Sequence, residues 1–307
     1  MKKKILIAGA TGLIGVRLCE TLYRQGYSII AATTRKNIPG IISNYCEDYI
    51  FWDKGYNISN PKKLIGVDAV INLAGANVAA KRWNDDYKKL ILESRTLPNK
   101  SLFDAFKSIE YFPKTFIGAS ATGYYGSRAD EELTESSKKG DGFLSDVCRE
   151  WEDSAKLFSQ AGVKTVCIRT GIILSTQGGA LPKMILPYKL FAGGTLGKGS
   201  QWFPWISLPD ILSIICYLLE NSKEGTYNCT APVPVTMSTI SKAVASALHR
   251  PNLFSVPEWV LKLALGESAI EITKSQKVVP SRLISEGFQF KHSLLEQSIK
   301  DIILNKW

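Results

Sequence analysis

The stretch Gly9-Ala10-Thr11-Gly12-Leu13-Ile14-Gly15 restricts the fold more than any other part of the chain. It follows Lys4-Ile5-Leu6-Ile7-Ala8, a short apolar run of the kind that forms a strand buried on both faces. It leads into Leu13, Ile14, Leu18 and Leu22, which recur at helical spacing until Gly26. Strand, glycine turn and helix in that order form a dinucleotide-binding unit. The first glycine makes the tight turn, the second lets backbone approach a pyrophosphate, and the third allows close helix–strand contact. The helix N-terminus then presents free N–H groups and positive potential to the anion.

The rest of the chain keeps that rhythm. Apolar runs at 28–33, 49–52, 69–73, 115–119 and 165–169 read as further strands, with helical patterns over 84–108 and 143–161. Strands alternating with helices predict an α/β fold, a Rossmann-type doubly wound parallel sheet covered on both faces. After about residue 175 glycine and proline become dense, through 178–209, and short helices are expected near 210–221, 237–248, 257–265 and 293–304. The expected division is a nucleotide-binding lobe over 1–175 and a smaller mixed C-terminal substrate lobe over 176–307. The boundary is soft, because the chain can return to the sheet near 226–229.

Composition narrows the function classes. With 307 residues, 45% hydrophobic and 21% charged, the chain can bury a large core without a disulfide or metal staple. Thirty-eight basic against 28 acidic residues give a net charge of +10, spread along the chain. Such an excess can serve nucleic acid, a membrane surface or an anionic small molecule. No nucleic-acid motif accompanies it, and no apolar stretch reaches the roughly 18 residues of a spanning helix. The expected partner is therefore a small-molecule substrate, with no nucleic acid and no membrane. The six cysteines include no C-x-x-C spacing and four sit in apolar runs, the pattern of free thiols in a reducing compartment. Two histidines and no Cys/His cluster give no expected metal site. Met1-Lys2-Lys3-Lys4 before an apolar run imitates a signal peptide, but glycines interrupt the run and no Ala-x-Ala site follows. A cytoplasmic location is expected.

Cofactor choice is read at the end of the second strand. An acidic residue there would accept from the ribose 2′-hydroxyl of NAD(H). Here stand Thr33-Thr34-Arg35-Lys36. Arg35 can pair with a 2′-phosphate through its fork geometry, which points to NADP(H); the alternative is a solvated basic turn. Asn72-Leu73-Ala74-Gly75 closes the fourth strand with small residues, so a cofactor can lie across the strand end.

Together these segments resemble the extended short-chain dehydrogenases/reductases. Ser94-Arg95, Ser120-Ala-Thr-Gly-Tyr-Tyr-Gly126, Trp151-Glu152, Arg169-Thr170-Gly171, Gly178-Gly-Ala-Leu181, Gly193-Gly-Thr-Leu-Gly197, Gln201-Trp-Phe-Pro-Trp-Ile206, Ala231-Pro232, His249-Arg-Pro251 and Gly266-Glu267 are similar to one atypical branch. That branch is the "epimerase family protein" group, also labelled nucleoside-diphosphate-sugar epimerase. The resemblance covers essentially the whole chain. It implies NADP(H) contacts on Gly9, Thr11, Gly12, Leu13, Ile14 and Gly15, on Thr34 and Arg35, on Leu73, Ala74 and the adjoining Gly75, on Arg95 and on Ile173. It also implies oxidoreductase or epimerase chemistry on a small polar, nucleotide-sugar-like substrate.

One departure stands out. The wider class relays a proton through Tyr-x-x-x-Lys with a Ser/Thr partner. No tyrosine in this chain has lysine four residues on. Where the pair should fall stand Phe143 and Val147 or, one register over, Leu144 and Cys148. The Ser/Thr position is Ala121, flanked by Ser120 and Thr122. Two readings stay open. Tyr124 or Tyr125, beside Ser120 or Thr122, carries the proton, with Tyr124 the first choice; or the site binds NADP(H) without redox chemistry.

Other segments invite weaker readings. Gly193–Gly199 fails as a phosphate loop, since Ala192 stands at its first glycine position and Gly199 at its Ser/Thr position. Trp202-Phe203-Pro204-Trp205 lines a cleft or fills a core. Asp210 is expected to cap a helix. The branch usually carries histidine where Ser207 stands, and His249 is expected to end a helix.

Overall fold

The computed structural model describes residues 2–34, 38, 40–53, 55–269 and 273–304. Its centre is one parallel sheet of seven strands: β1 (Lys4–Ala8), β2 (Ser28–Thr33), β3 (Asp48–Phe51), β4 (Ala69–Asn72), β5 (Thr115–Ala121), β6 (Lys164–Thr170) and β7 (Gly225–Cys229). Their order is β7-β6-β5-β4-β1-β2-β3, so β1 pairs on one side with β2 and on the other with β4. The chain reverses its direction of travel across the sheet at β1. That switch point lies at the carboxyl end of the strand from which the glycine loop departs, where ligands of open α/β sheets bind.

The strands read as unbroken apolar runs because both faces are covered. Ile5 and Ile7 point to one face, against Leu18 and Leu22 of helix α1 (Leu13–Arg24) and Ile211 and Ile215 of helix α4 (Leu208–Glu220). Leu6 and Ala8 point to the other, against helices α2 (Asp85–Ser108) and α3 (Phe143–Gln160). Phe116 of β5 and Phe158 of α3 stack there with ring centroids 4.0 Å apart. Asn84 caps α2 by accepting from the Tyr87 N–H at 2.8 Å, with Asp85 and Asp86 in the first turn where the helix dipole favours them.

Between β6 and β7 the chain builds part of a second core cluster beside the sheet. Strand Ile172–Ser175 pairs with Gly178–Gly179 and with Trp205–Ser207. Helix Leu181–Lys189 was not legible in the glycine- and proline-rich sequence. Pro182 sits in its first turn, where a missing N–H costs nothing. Helices Met237–Leu248 and Leu295–Leu304 complete a second core around Tyr188, Trp205, Ile240 and Ile299. His249 ends its helix in the left-handed conformation at φ 52°. Among the described residues no helix is long and apolar enough to cross a membrane.

Candidate functional site

The glycine loop is built with no room to spare. Gly9 has φ +75°, and a Cβ there would stand 2.8 Å from the Leu73 carbonyl. A Cβ on Gly15 would meet the Gly9 oxygen at 2.2 Å and the Ala10 Cα at 2.7 Å. Neither position admits a side chain. Gly12 is exposed, closes the turn through its N–H to the Gly9 oxygen at 2.9 Å, and is the N-cap of α1. No side chain caps α1 and no acid lies in its first turn, so its leading N–H groups face outward with the positive end of the helix dipole.

The end of β4 lies directly beside this loop. Asn72 is buried, gives its amide N–H to Asn99 Oδ1 at 2.6 Å and accepts from the Ala74 N–H at 3.0 Å. That pair fixes the course of Leu73, Ala74 and Gly75. Arg95 follows them from below: Nη2 donates to the Ala76 carbonyl at 3.0 Å and Nη1 to that of Ile91 at 2.8 Å. Its guanidinium lies 5.0 Å from the Trp151 ring, and a Cβ on Gly75 would touch it at 3.3 Å. Burial lowers the Arg95 pKa. Arg95 thus clamps the 75–76 backbone while its charge sits beneath the loop. From the far side, the 172–179 hairpin folds over α1. Gly178 and Gly179 approach Leu13, Gly179 also lies against the Ile173 carbonyl, and Arg17 Nε donates to Gln177 at 2.9 Å. Gly9–Gly15, Leu73–Gly75, Arg95 and Ile173 therefore surround one end of the sheet. Thr34 is exposed just past β2, while Arg35 and Lys36 lie outside the described residues.

The candidate proton carriers gather at the end of β5. A 3₁₀ turn, Thr122–Tyr125, follows the strand and packs on the start of α3. A Cβ on Gly123 would lie 3.4 Å from Leu144 and 3.6 Å from the Cys148 sulfur. Ser145 Oγ donates to the Gly123 carbonyl at 2.8 Å. Leu144 and Cys148 thus face the turn, while Phe143 packs on Trp83 and Val147 on the Tyr87–Ile91 cluster. Of the two registers in which the resemblance places the tyrosine–lysine pair, it is this apolar one that faces the turn. Burial pushes the Cys148 thiol up to about 11.

The four hydroxyl residues at this strand end differ in what they touch. Ser120 is buried and donates to Glu152 Oε1 at 2.7 Å. Tyr125 is fully buried; its oxygen accepts from Arg169 Nη1 at 2.9 Å and donates to Asn228 Oδ1 at 2.6 Å. Burial pushes its phenol up to about 12. Tyr124 is half-buried, and among the described residues its hydroxyl has no hydrogen-bond partner. Thr122, buried, begins the turn.

Behind them lies a group to which the sequence reading gave no role. Arg169, at the end of β6, grips Glu152 of α3 through Nε at 2.7 Å and Nη2 at 2.8 Å, both residues being buried. Against the effect of burial, the bonds to Glu152 hold the arginine pKa above its usual range. The guanidinium lies 3.5 Å from the centre of the Tyr124 ring and 5.0 Å from that of Tyr125. An arginine closing an apolar strand and a glutamate on the apolar face of a helix were the available signals. In the sequence each is visible only as part of a motif. Asp210 is also buried. It accepts from the N–H groups of Lys291 and His292 at 2.8 and 3.0 Å, and the helix cap beside it is Ser207.

A parallel sheet of this order, with the glycine loop at its switch point and a second lobe folded over it, defines an extended short-chain dehydrogenase/reductase. Residues 5–230 match the model of the NAD dependent epimerase/dehydratase family, and residues 256–302 match a domain of unknown function, DUF1731. The chain belongs to the NAD dependent epimerase/dehydratase family. Epimerase family protein SAR0825 of Staphylococcus aureus is 38% identical over 304 residues, covering 98% of this chain and 99% of its own. The human epimerase family protein SDR39U1, solved with NADPH, superposes with a TM-score of 0.87 at 30% identity, covering 98% and 99% of the two chains. A nucleoside-diphosphate sugar epimerase of Corynebacterium glutamicum gives 0.78 at 31% identity, with all of this chain matched to 59% of that one.

Proposed function

We propose that this chain is an NADP(H)-dependent oxidoreductase or epimerase acting on a small polar, nucleotide-sugar-like substrate. In this reading the sheet binds the cofactor and residues 176–307, apart from the helix and strand at 208–229 that return to the sheet, hold the substrate. The carrying observation is the glycine cradle: an exposed Gly12 at an uncapped helix end, between two glycines that tolerate no side chain. Such a cradle fits a pyrophosphate. The N–H groups of Leu13–Gly15 would hold it, with Gly12, Thr11 and Leu73–Gly75 alongside and Arg95 supplying positive potential from below. Thr34 and Arg35 would take the 2′-phosphate, a role consistent with the NADPH in the human relative. Leu13, Ile14 and Ile173 offer an apolar bed for the nicotinamide end. When bound, the cofactor supplies or accepts hydride at a substrate carbon. Tyr124 is the hydroxyl we assign to the proton on the substrate oxygen, since Ser120 and Tyr125 are held by Glu152, Arg169 and Asn228. Ser120 and Thr122 would then shape the wall beside it.

A second reading, an NADP(H)-binding protein without redox turnover, is favoured by one observation: Leu144 and Cys148 face the turn in place of a tyrosine–lysine pair. Calorimetric titration with NADPH and NADH, on wild type and Arg35→Ala, tests both. The expected result is an NADPH preference that the variant loses. Binding of neither nucleotide would sink both readings. Cofactor consumption with a library of nucleotide sugars and aldehydes then separates them. Turnover that Tyr124→Phe abolishes supports the enzyme, and binding without any turnover supports the second reading.

A further inference from the structure

Six of the sixteen large apolar side chains left exposed among the described residues fall in two short windows of the C-terminal lobe: Leu190, Phe191, Leu253, Phe254, Trp259 and Leu263. Leu253 is 75% exposed, Leu263 71%, Leu190 70% and Trp259 67%. Single exposed apolar residues need no explanation, but a contiguous group does.

The two windows are held together. Strand Gly194–Leu196 pairs in parallel with Phe254–Val256, so tightly that a Cβ on Gly194 would stand 2.6 Å from the Phe254 oxygen. Tyr188 Oη donates to Asn252 Oδ1 at 3.1 Å, and the Arg250 guanidinium lies 4.3 Å over the Phe191 ring. Phe191 itself turns outward at φ 60°. Helix Glu258–Leu265 begins four residues after Phe254. Trp259 and Leu263, four apart, share one of its faces.

The charges nearest these side chains in the chain are mainly positive. Lys183 and Lys189 precede the first window; Arg250 precedes the second and Lys262 lies within it. Residues 181–193 contain no acid and residues 248–265 only the half-buried Glu258. A second copy of the chain meeting this face symmetrically would bring two sets of Lys189, Arg250 and Lys262 together with almost no carboxylate to pair. Aromatic and leucine side chains interleaved with cations instead match the boundary of a bilayer carrying anionic headgroups. We propose that this face docks on an anionic lipid surface, Trp259, Leu263, Phe191 and Phe254 entering the headgroup boundary and the four cations meeting the lipid phosphates. The expectation of no membrane partner rested on the missing spanning stretch. That feature excludes crossing and not surface contact.

Co-sedimentation of the full chain with vesicles of phosphatidylcholine and phosphatidylglycerol at 7:3, and of phosphatidylcholine alone, tests the proposal. Binding to the anionic vesicles only is expected, weakening steeply as salt is raised above about 0.15 M, where the Debye length is about 8 Å. Lys189→Ala and Lys262→Ala should each lower the partition coefficient about fivefold. Trp259→Ser should lower it roughly tenfold, with an unchanged thermal melt. Brominated lipid should quench tryptophan emission in wild type and much less in Trp259→Phe. Equal binding to the neutral vesicles would overturn the charge argument and the proposal with it. No vesicle binding by wild type would also overturn it. In that event a monomer–dimer equilibrium sensitive to Trp259→Ser would assign the face to a second copy, and retention by an acidic protein partner alone would assign it there.

Discussion

Removing the Glu152 carboxylate isolates the Arg169 charge. The two-pronged contact at 2.7 and 2.8 Å is buried on both sides, and Ser120 adds a third bond at 2.7 Å to the same carboxylate. In Glu152→Ala the guanidinium keeps the Tyr125 oxygen at 2.9 Å, a long contact to the Glu135 carbonyl at 3.5 Å and the face of Tyr124. None of these carries a formal negative charge. Breaking one side of a buried pair costs about 3–5 kcal/mol, because the remaining charge stays desolvated. At about 2–4 °C per kcal/mol for a chain of 150–250 residues this is roughly 6–20 °C, and for 307 residues the fall in melting temperature should lie toward the lower end. The paired variant Glu152→Leu/Arg169→Met removes both charges. It should recover most of that loss, since an apolar pair of similar volume needs no compensation. Differential scanning calorimetry on the three proteins gives the comparison. A loss below about 1 kcal/mol in Glu152→Ala would refute the reasoning, as would a double variant less stable than the single one. Either result would mean that water reaches the guanidinium or that the packing of Tyr124 depends on it.

Further outcomes follow from the same geometry. Gly15→Ala puts a methyl 2.2 Å from the Gly9 oxygen and should abolish nucleotide binding by calorimetry, whereas Gly26→Ala meets open space at φ +89° and should cost only about 1 kcal/mol of stability. Cys46, half-buried, has its pKa lowered by the hydrogen bond from Cys19, whereas burial pushes Cys148 up to about 11 and Cys167 up to about 12. Alkylation at pH 7.5 followed by peptide mass mapping should therefore label Cys46 first; earlier labelling of Cys148 or Cys167 would contradict this. The Tyr125 phenol, raised from 10.0 to about 12, contributes stability that is fully present below pH 10 and lost as pH climbs through 12. Tyr125→Phe should flatten the alkaline part of the stability profile over that interval.

The sheet was legible because parallel strands buried on both faces leave unbroken apolar runs, and because three glycines at fixed spacing have few uses besides a close turn before a helix. The glycine cradle and the small residues after β4 were legible for the same reason, since backbone proximity dictates residue size directly. Side-chain partnerships were not. Ser120 and Tyr124 read alike in sequence as hydroxyls near a strand end, yet one is bonded to a glutamate 32 positions away and the other is not. Tyr125 and Asn228 meet across 103 residues. Such pairs depend on how α3 and β7 dock on the sheet, and no local period encodes that. The helix from Leu181 to Lys189 was missed because proline and glycine punctuate loops far more often than they open helices.

The pair Leu144 and Cys148 is more than a dyad with its polar atoms removed. Arg95 and Arg169 both bear on the Cys148 thiol, opposing the upward push of burial and of the Glu152 charge. Positive potential therefore reaches this thiol, although the Glu152 charge acts on it more strongly than either arginine. It comes from two guanidinium groups that are themselves fixed, one by the 76 and 91 carbonyls and one by Glu152. A lysine at 148 would be a third cation in a buried space beside Glu152, a carboxylate already bonded to Arg169 and Ser120. Cys148→Lys should consequently destabilise the protein by several kcal/mol, well beyond Cys148→Ala, because an unpaired buried charge costs far more than a small cavity. Urea titrations of the two variants decide the point. If Cys148→Lys were as stable as Cys148→Ala, the two arginines would not set the charge of this site, and the missing lysine would be a simple loss. If it is much less stable, the site has been rebuilt around arginine, and restoring the tyrosine–lysine pair by substitution would not restore the chemistry of the wider class.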